Sequence, residues 1–360
     1  MTAPLDRNLA LELVRATEAA ALAAARWMGR GDAHTADRAA SDAMHLVLAT
    51  VDMDGVVVIG PANERDLPTL RTGESIGNGN VPRVDVAVDP IDGTGLTAQG
   101  LPGALSIVAL AERGSLFEPR IPYMDKIVVG PRATGVVSIE APVRENLESI
   151  ALASDREVGD LTVVILSRPR NRELVEQVRQ SGARIRLIGD GDIAGALMAL
   201  LDEHAGADVL MGVGGAAEGV LAACAARCLG GDIQARLWPR PDSTDRQDVI
   251  AQGHSPDRVL TLDDLCRAEN VFVAATGVTN GELMEGVRYF STGAVTQSLV
   301  MRSASGTVRW IDAKHDFSRL RKLAGSRYEA RPVAVQATNP TVHAADGDAS
   351  AADAEYSPTA

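Results

Sequence analysis

The 360-residue sequence contains no apolar run near the roughly 20 residues that a membrane span requires, and its start lacks the basic-then-apolar order of a secretory leader. No membrane association is expected, and the cytoplasm is the expected compartment. Cysteine is scarce: Cys224, Cys228 and Cys266 do not form the paired C-x-x-C units of a metal site. Cys224 and Cys228 lie on one face of an alanine-rich helical stretch, where a thiol behaves as a small hydrophobe. Basic charge is also short. With 35 Lys and Arg against 48 Asp and Glu the net charge is −13, which argues against nucleic acid, whose phosphates demand a basic surface. An acidic protein that takes an anionic ligand must do so locally, through arginines, helix N-termini or metal ions.

What is present is concentrated in Val84-Asp85-Val86-Ala87-Val88-Asp89-Pro90-Ile91-Asp92-Gly93-Thr94. Its β-branched apolar residues favour a strand, and Pro90, with no N–H to donate, is expected to end that strand at Asp89. Asp89 and Asp92 then share a tight turn in which Gly93 gives backbone freedom and Thr94 brings a hydroxyl to the same spot. Clustered oxygen donors of this kind suit a hard divalent cation such as Mg²⁺ or Mn²⁺. Asp-Pro and Asp-Gly also punctuate ordinary Asx turns, so the short motif alone leaves both readings open.

Around this stretch the periodicity predicts a helix from about Asn8 to Met28, broken by Gly29, Gly31 and Asp32. A second helix, N-capped by Thr35, runs to about Val51 and puts Asp37 in its first turn, where the helix dipole favours a carboxylate. Strands are expected at 56–59 and 105–110, with a hairpin from 127–130 and 135–139. A polar helix from Asn146 to Leu161 crosses to a region of alternating strand and helix. There the strands are 162–166, 184–188 and 209–213, and the helices 172–180 and 193–201. That order implies a mainly parallel sheet with ligands at the carboxyl ends of its strands. Arg168-Pro169-Arg170, Asp190-Gly191-Asp192 and Gly214-Gly215 follow three such ends, the last leading to Glu218. Arg168 and Arg170 offer forked donors for a phosphate; the alternative is a solvated pair on a loop. Asp190 and Asp192 suit sugar hydroxyls better than metal, since carboxylates repel a phosphate unless a cation intervenes. Residues 235–256, with Trp238, read as a loop, 271–275 as a strand, and 298–302 with 307–311 as a closing hairpin. His315 reads as structural, and past Arg331 the chain has too few large apolar groups to order. The division expected is 1–155, 156–325 and a tail from 331 to 360.

The full D-P-I-D-G-T string resembles the signature of the metal-dependent, lithium-sensitive sugar and inositol phosphatases. Further stretches narrow this to the class II fructose-1,6-bisphosphatases, in that family's order: Trp27-Met28-Gly29-Arg30-Gly31-Asp32, Thr35-Ala36-Asp37, Asp54-Gly55, Tyr123-Met124 with Lys126, Arg168-Pro169-Arg170, Asp190-Gly191-Asp192 and Gly214-Gly215-Ala216-Ala217-Glu218-Gly219-Val220. The resemblance implies a two-domain layered α/β sugar-phosphatase fold, α+β in its N-terminal part. It also implies Mn²⁺ or Mg²⁺ as cofactor and hydrolysis of a sugar bisphosphate, fructose 1,6-bisphosphate foremost. A homo-oligomer is expected. The metal carboxylates implied are Asp37, Asp89, Asp92 and Glu218. Substrate contacts fall on Asp92, Gly93, Thr94, Tyr123, Arg168, Pro169, Arg170, Asp190, Gly191, Asp192 and Gly215. Catalysis falls on Asp89, Asp37 and Thr94, the last orienting the attacking water, while Arg168 and Arg170 hold the distant phosphate. The chain departs from the family where an acidic run follows the 56–59 strand. Pro61 stands in place of a metal-binding glutamate and Asn63 and Arg65 in place of two more acids, leaving Glu64 or Asp66 as substitutes. Ala33 replaces a lysine, and Asp92 a longer glutamate. These changes imply two alternatives: a phosphatase retuned to a heptulose, octose or secondary-metabolite sugar phosphate, or a sugar-phosphate-binding homologue with impaired catalysis.

Overall fold

The computed structural model describes residues 9–61, 67–201, 206–241, 243–251 and 253–324. The tail from 331 and the substitutions and substitute ligands at Asn63, Glu64, Arg65 and Asp66 lie outside the described residues. Helices α1 (Leu9–Ala24) and α2 (Ala33–Leu48) lead to β1 (Asp54–Ile59), β2 (Ser75–Ile76), β3 (Arg83–Asp92), α3 (Thr94–Gln99), β4 (Leu105–Glu112) and β5 (Tyr123–Val129). The middle of the chain forms α4 (Val143–Ala153), β6 (Thr162–Leu166), α5 (Arg172–Ser181), β7 (Arg184–Ile188), α6 (Asp192–Leu200), β8 (Val209–Gly215), α7 (Ala216–Leu229) and β9 (Asp232–Leu237). It closes with α8 (Asp245–Ala251), β10 (Val259–Thr261), α9 (Leu262–Leu265), β11 (Phe272–Gly277), β12 (Arg288–Phe290), β13 (Gly293–Arg302), β14 (Thr307–Asp316) and α10 (Phe317–Ala324).

Two sheets organise these elements. The first runs β12-β13-β11-β4-β3-β1-β2, with β14 also paired along β13; the second runs β10-β9-β5-β8-β6-β7. Alternation along β3 shows why the layers stack. Val84, Val86 and Val88 pack with α1 and α2, whereas Ala87 belongs to the core built from α6 and α7. The second sheet presents Met124, Val128, Val164 and Leu210 to that same α6/α7 core, and Ile127, Val129, Val163 and Ile165 to the core of α4 and α5. Five layers result, helices alternating with sheets, and α6 and α7 lie between the two sheets. All nine residues of α6 are buried, and α7 is rich in small and apolar residues because a helix enclosed on both sides has no polar face to spare. Cys224 and Cys228 sit buried on α7 as free thiols, as their apolar setting predicts.

Several local expectations change. Pro90 does not end the strand: β3 runs to Asp92, and the ladder with β4 shifts register between Asp89 and Asp92, so the proline occupies an irregularity where its missing donor is not needed. Asp32, not Thr35, caps α2, accepting from the Thr35 backbone N–H at 2.9 Å, so Asp37 stands past the first turn. Residues 135–139 form no strand, and the polar helix is shorter, Val143–Ala153. The stretch 235–256 carries the end of β9 and α8. The second sheet is parallel only across β7-β6-β8; β5, β9 and β10 join it antiparallel. Nor do the sheets divide at residue 155, because β5 belongs to the second sheet and β11 to β14 return to the first. Long-range strand pairing, invisible to local periodicity, decides that partition.

Candidate active site

The odd-numbered face of β3 points toward the α6/α7 layer, and it carries Asp89 to the edge where strands of both sheets end. Beyond it Gly93 takes a left-handed conformation (φ 94°), which glycine adopts without a Cβ penalty, and turns the chain into α3. Thr94 Oγ1 then donates to Asp37 Oδ1 at 2.6 Å and lies 3.1 Å from the Ile91 carbonyl. This bond joins α2 to the start of α3. The Asp89 carboxylate accepts from the Ile91 N–H at 3.1 Å, and Asp92 Oδ2 accepts from the Ala194 N–H in the first turn of α6 at 2.9 Å. Asp190 Oδ2 accepts from the Gly95 N–H at 3.3 Å.

Glu218 lies in the first turn of α7, immediately after β8. Burial, then the charges of Glu218, Asp37 and Asp190, pushes the Asp89 carboxyl well above its ordinary range. Burial and the charge of Asp89 do the same to Asp92. Glu218 is raised by burial, with the Lys126 ammonium working against the rise and Asp192 and Asp190 adding to it. Asp89 thus lies within electrostatic reach of Asp37, Asp92 and Glu218. Among the described residues no three or more His, Cys, Asp and Glu side chains close into a ready-made ligand shell. The donor chemistry nevertheless fits a hard divalent cation, which prefers oxygen ligands and would offset the burial and the neighbouring negative charge that raise Asp89, Asp92 and Glu218. Pro61, buried after β1, offers no side-chain donor.

The three loops after β6, β7 and β8 meet beside these carboxylates. Arg170 Nε donates to the Val213 carbonyl at 3.1 Å, and its guanidinium stacks 4.4 Å from the Tyr123 ring centroid. Arg168 bonds the Gly189 carbonyl and stands 3.6 Å from Asp190. Pro169 opens the short turn that carries Arg170, and Gly191 precedes α6 in a left-handed conformation (φ 83°). A methyl group at Gly215 would overlap the Glu218 carboxylate. Asp192 stands apart from the other acceptors, because it is buried against the Lys126 ammonium rather than facing the cleft.

Two residues complete the site beyond the sequence reading. Lys126 is fully enclosed on β5, and its signal is a lysine inside an otherwise apolar central strand. Trp238 packs edge-on against Tyr123 with centroids 6.2 Å apart, so Tyr123 is held between Trp238 and Arg170. No local pattern pointed to that contact, since it depends on β9 pairing with β5.

The family model described as bacterial fructose-1,6-bisphosphatase, glpX-encoded, matches residues 7–315. A D-fructose 1,6-bisphosphatase class 2/sedoheptulose 1,7-bisphosphatase of Synechococcus sp. (strain JA-3-3Ab) is 41% identical over 335 residues, covering 86% of this chain and 96% of the relative. A fructose-1,6-bisphosphatase class 2 of Haemophilus influenzae is 40% identical over 331 residues, covering 89% of this chain and 99% of the relative. The match along residues 7–315 and the identity of about 40% to these relatives over most of both chains place the protein: the chain belongs to the bacterial, glpX-encoded fructose-1,6-bisphosphatase family.

Proposed function

We propose that the protein hydrolyses fructose 1,6-bisphosphate to fructose 6-phosphate and phosphate with Mn²⁺ or Mg²⁺, acting in the cytoplasm as a homo-oligomer. The observation that carries the reading is the chain of contacts around the turn after β3: Thr94 bonds Asp37 at 2.6 Å, the neighbouring Gly95 N–H bonds Asp190 at 3.3 Å, and Arg168 stands 3.6 Å from that carboxylate. Asp89, Asp92 and Glu218 would hold one cation and Asp37 a second. Divalent metal supplies Lewis acidity toward water and the phosphoryl oxygens.

The chain's own groups do the remaining work. Thr94, donating its proton to Asp37, keeps oxygen lone pairs with which to accept from an incoming water, so it orients that water and passes a proton toward Asp37. Arg170 presents a guanidinium fixed by Tyr123 and the Val213 carbonyl, a pre-set fork for the phosphate that does not react. Arg168 and Asp190 flank the same entrance, where a cation and an acceptor suit phosphate and sugar hydroxyl respectively. Binding energy from that distant phosphate positions the reacting one.

Phosphate release measured across a panel of sugar mono- and bisphosphates tests the reading. Turnover of fructose 1,6-bisphosphate that depends on Mn²⁺ or Mg²⁺ and is abolished by Asp89→Asn supports it. Saturable sugar-phosphate binding without phosphate release under either metal refutes it. The Synechococcus relative's name couples a seven-carbon bisphosphate to the six-carbon one, so sedoheptulose 1,7-bisphosphate belongs in the panel.

A further inference from the structure

Lys126 is enclosed between the two sheets, and its side chain is only 1% exposed. Its ammonium bonds two groups: the carboxylate of Asp192, and the carbonyl of Gly215 at 2.8 Å. Each stands at the start of a helix that carries or holds a candidate site carboxylate. Asp192 is the first residue of α6, whose Ala194 N–H holds the Asp92 carboxylate. Gly215 is the residue before α7, and Glu218 follows in the first turn of that helix. The space for this arrangement is made by Gly214, where a Cβ would stand 2.9 Å from the Lys126 nitrogen and overlap Asp192.

We propose that Lys126, paired with Asp192, is a positioning residue that locks the first turns of α6 and α7 so that Asp92 and Glu218 face one cation site. The inference rests on the phosphatase reading for its purpose, but its geometry is that of a clamp whichever sugar phosphate is used. The ammonium has three donors to satisfy; the partners it takes are the Asp192 carboxylate, at the start of α6, and the Gly215 carbonyl, in the backbone leading to Glu218, so one group ties the starts of both helices together. Groups that orient metal ligands from behind change metal affinity by about 10- to 100-fold when removed.

Charge alone predicts the opposite sign, which makes the inference testable. Removing an ammonium beside acidic ligands strengthens attraction for a cation, whereas loss of positioning weakens binding. Lys126→Met leaves Asp192 buried without its partner and is expected to lower stability, so the deciding variant is the double change Lys126→Met with Asp192→Asn, which removes both charges and leaves the net charge unaltered. Titration calorimetry with Mn²⁺ alone, on folded protein checked by circular dichroism, gives the readout. The expected result is Mn²⁺ binding weakened about 10- to 100-fold in the double variant. Affinity within about twofold of wild type in the double variant, or tighter binding in Lys126→Met, overturns the inference. Because the readout is Mn²⁺ binding, a wild-type chain that released no phosphate would refute the phosphatase reading while these variants still decided the role of Lys126.

Discussion

Gly215→Ala separates the geometry of the site from the stability of the fold. The Gly215 backbone has φ −67° and ψ 143°, a conformation alanine adopts without strain, so the new methyl acts only on what it touches. What it touches is Glu218: the nearer carboxylate oxygen would lie 1.8 Å from the methyl, against 3.4 Å for ordinary contact, and the carboxylate must retreat by about 1.6 Å. Glu218 is the far end of a flexible side chain, so the retreat costs about 0.5–1.5 kcal/mol in rotamer strain. A chain of this size then loses only a few degrees of melting temperature, about 2–4 °C per kcal/mol. Activity responds more steeply, since misplacing a reacting group by about 1 Å lowers turnover about 100-fold. Phosphate release from fructose 1,6-bisphosphate, read with the melting temperature of the same preparation, measures both. Wild-type kcat in Gly215→Ala would show that Glu218 has no place in the chemistry.

Arg170→Ala is expected to raise KM for the bisphosphate about 10- to 100-fold through loss of about 1.5–3 kcal/mol of charged hydrogen bonding, with kcat little changed; a kcat loss without a KM change would place Arg170 elsewhere in the mechanism. Thr94→Val removes the hydroxyl bonded to Asp37 and should cost about 100-fold or more in kcat, while Thr94→Ser keeps it and should retain most activity. Equal activity of the two would remove Thr94 from the proton path. Two residues beyond Trp238, Arg240 donates to Asp245 from Nε at 2.9 Å and Nη2 at 3.0 Å, and that bonding holds the Asp245 carboxyl down to about 2. A depressed carboxyl stabilises the fold above its ordinary value near 3.8 and loses that contribution as pH falls toward 2. The melting-temperature gap between wild type and Asp245→Asn should therefore be full above about pH 5 and shrink below pH 4, and a gap independent of pH would contradict it.

The local elements that carry the candidate site are legible in the sequence, and the reason is local. Asp89, Asp92, Gly93 and Thr94 occupy consecutive positions on a strand end and its turn, where strand propensity, a left-handed glycine and oxygen chemistry are all read from neighbours in sequence. The same holds for Arg168, just past the continuous apolar run of β6, and for Asp190, just past the alternating Arg-Ile-Arg-Leu-Ile of β7. Boundaries went astray where one residue's rule competed with packing. Pro90 was expected to stop a strand that the bulge against β4 carries on, and Thr35 was expected to cap a helix that Asp32 caps three residues earlier.

By itself, then, the amino-acid order determined which residues could do phosphate chemistry and on what kind of local element each would stand. Tertiary structure alone decided which elements share a sheet, that α6 and α7 are enclosed between two sheets, and that Lys126 meets Asp192 and Gly215 behind the carboxylates. Propensity acts over a few neighbouring residues. The pairing of β5 with β8 and β9, and the return of β11 to β4, are fixed by contacts between segments roughly a hundred or more residues apart, whose partners no short window of sequence contains.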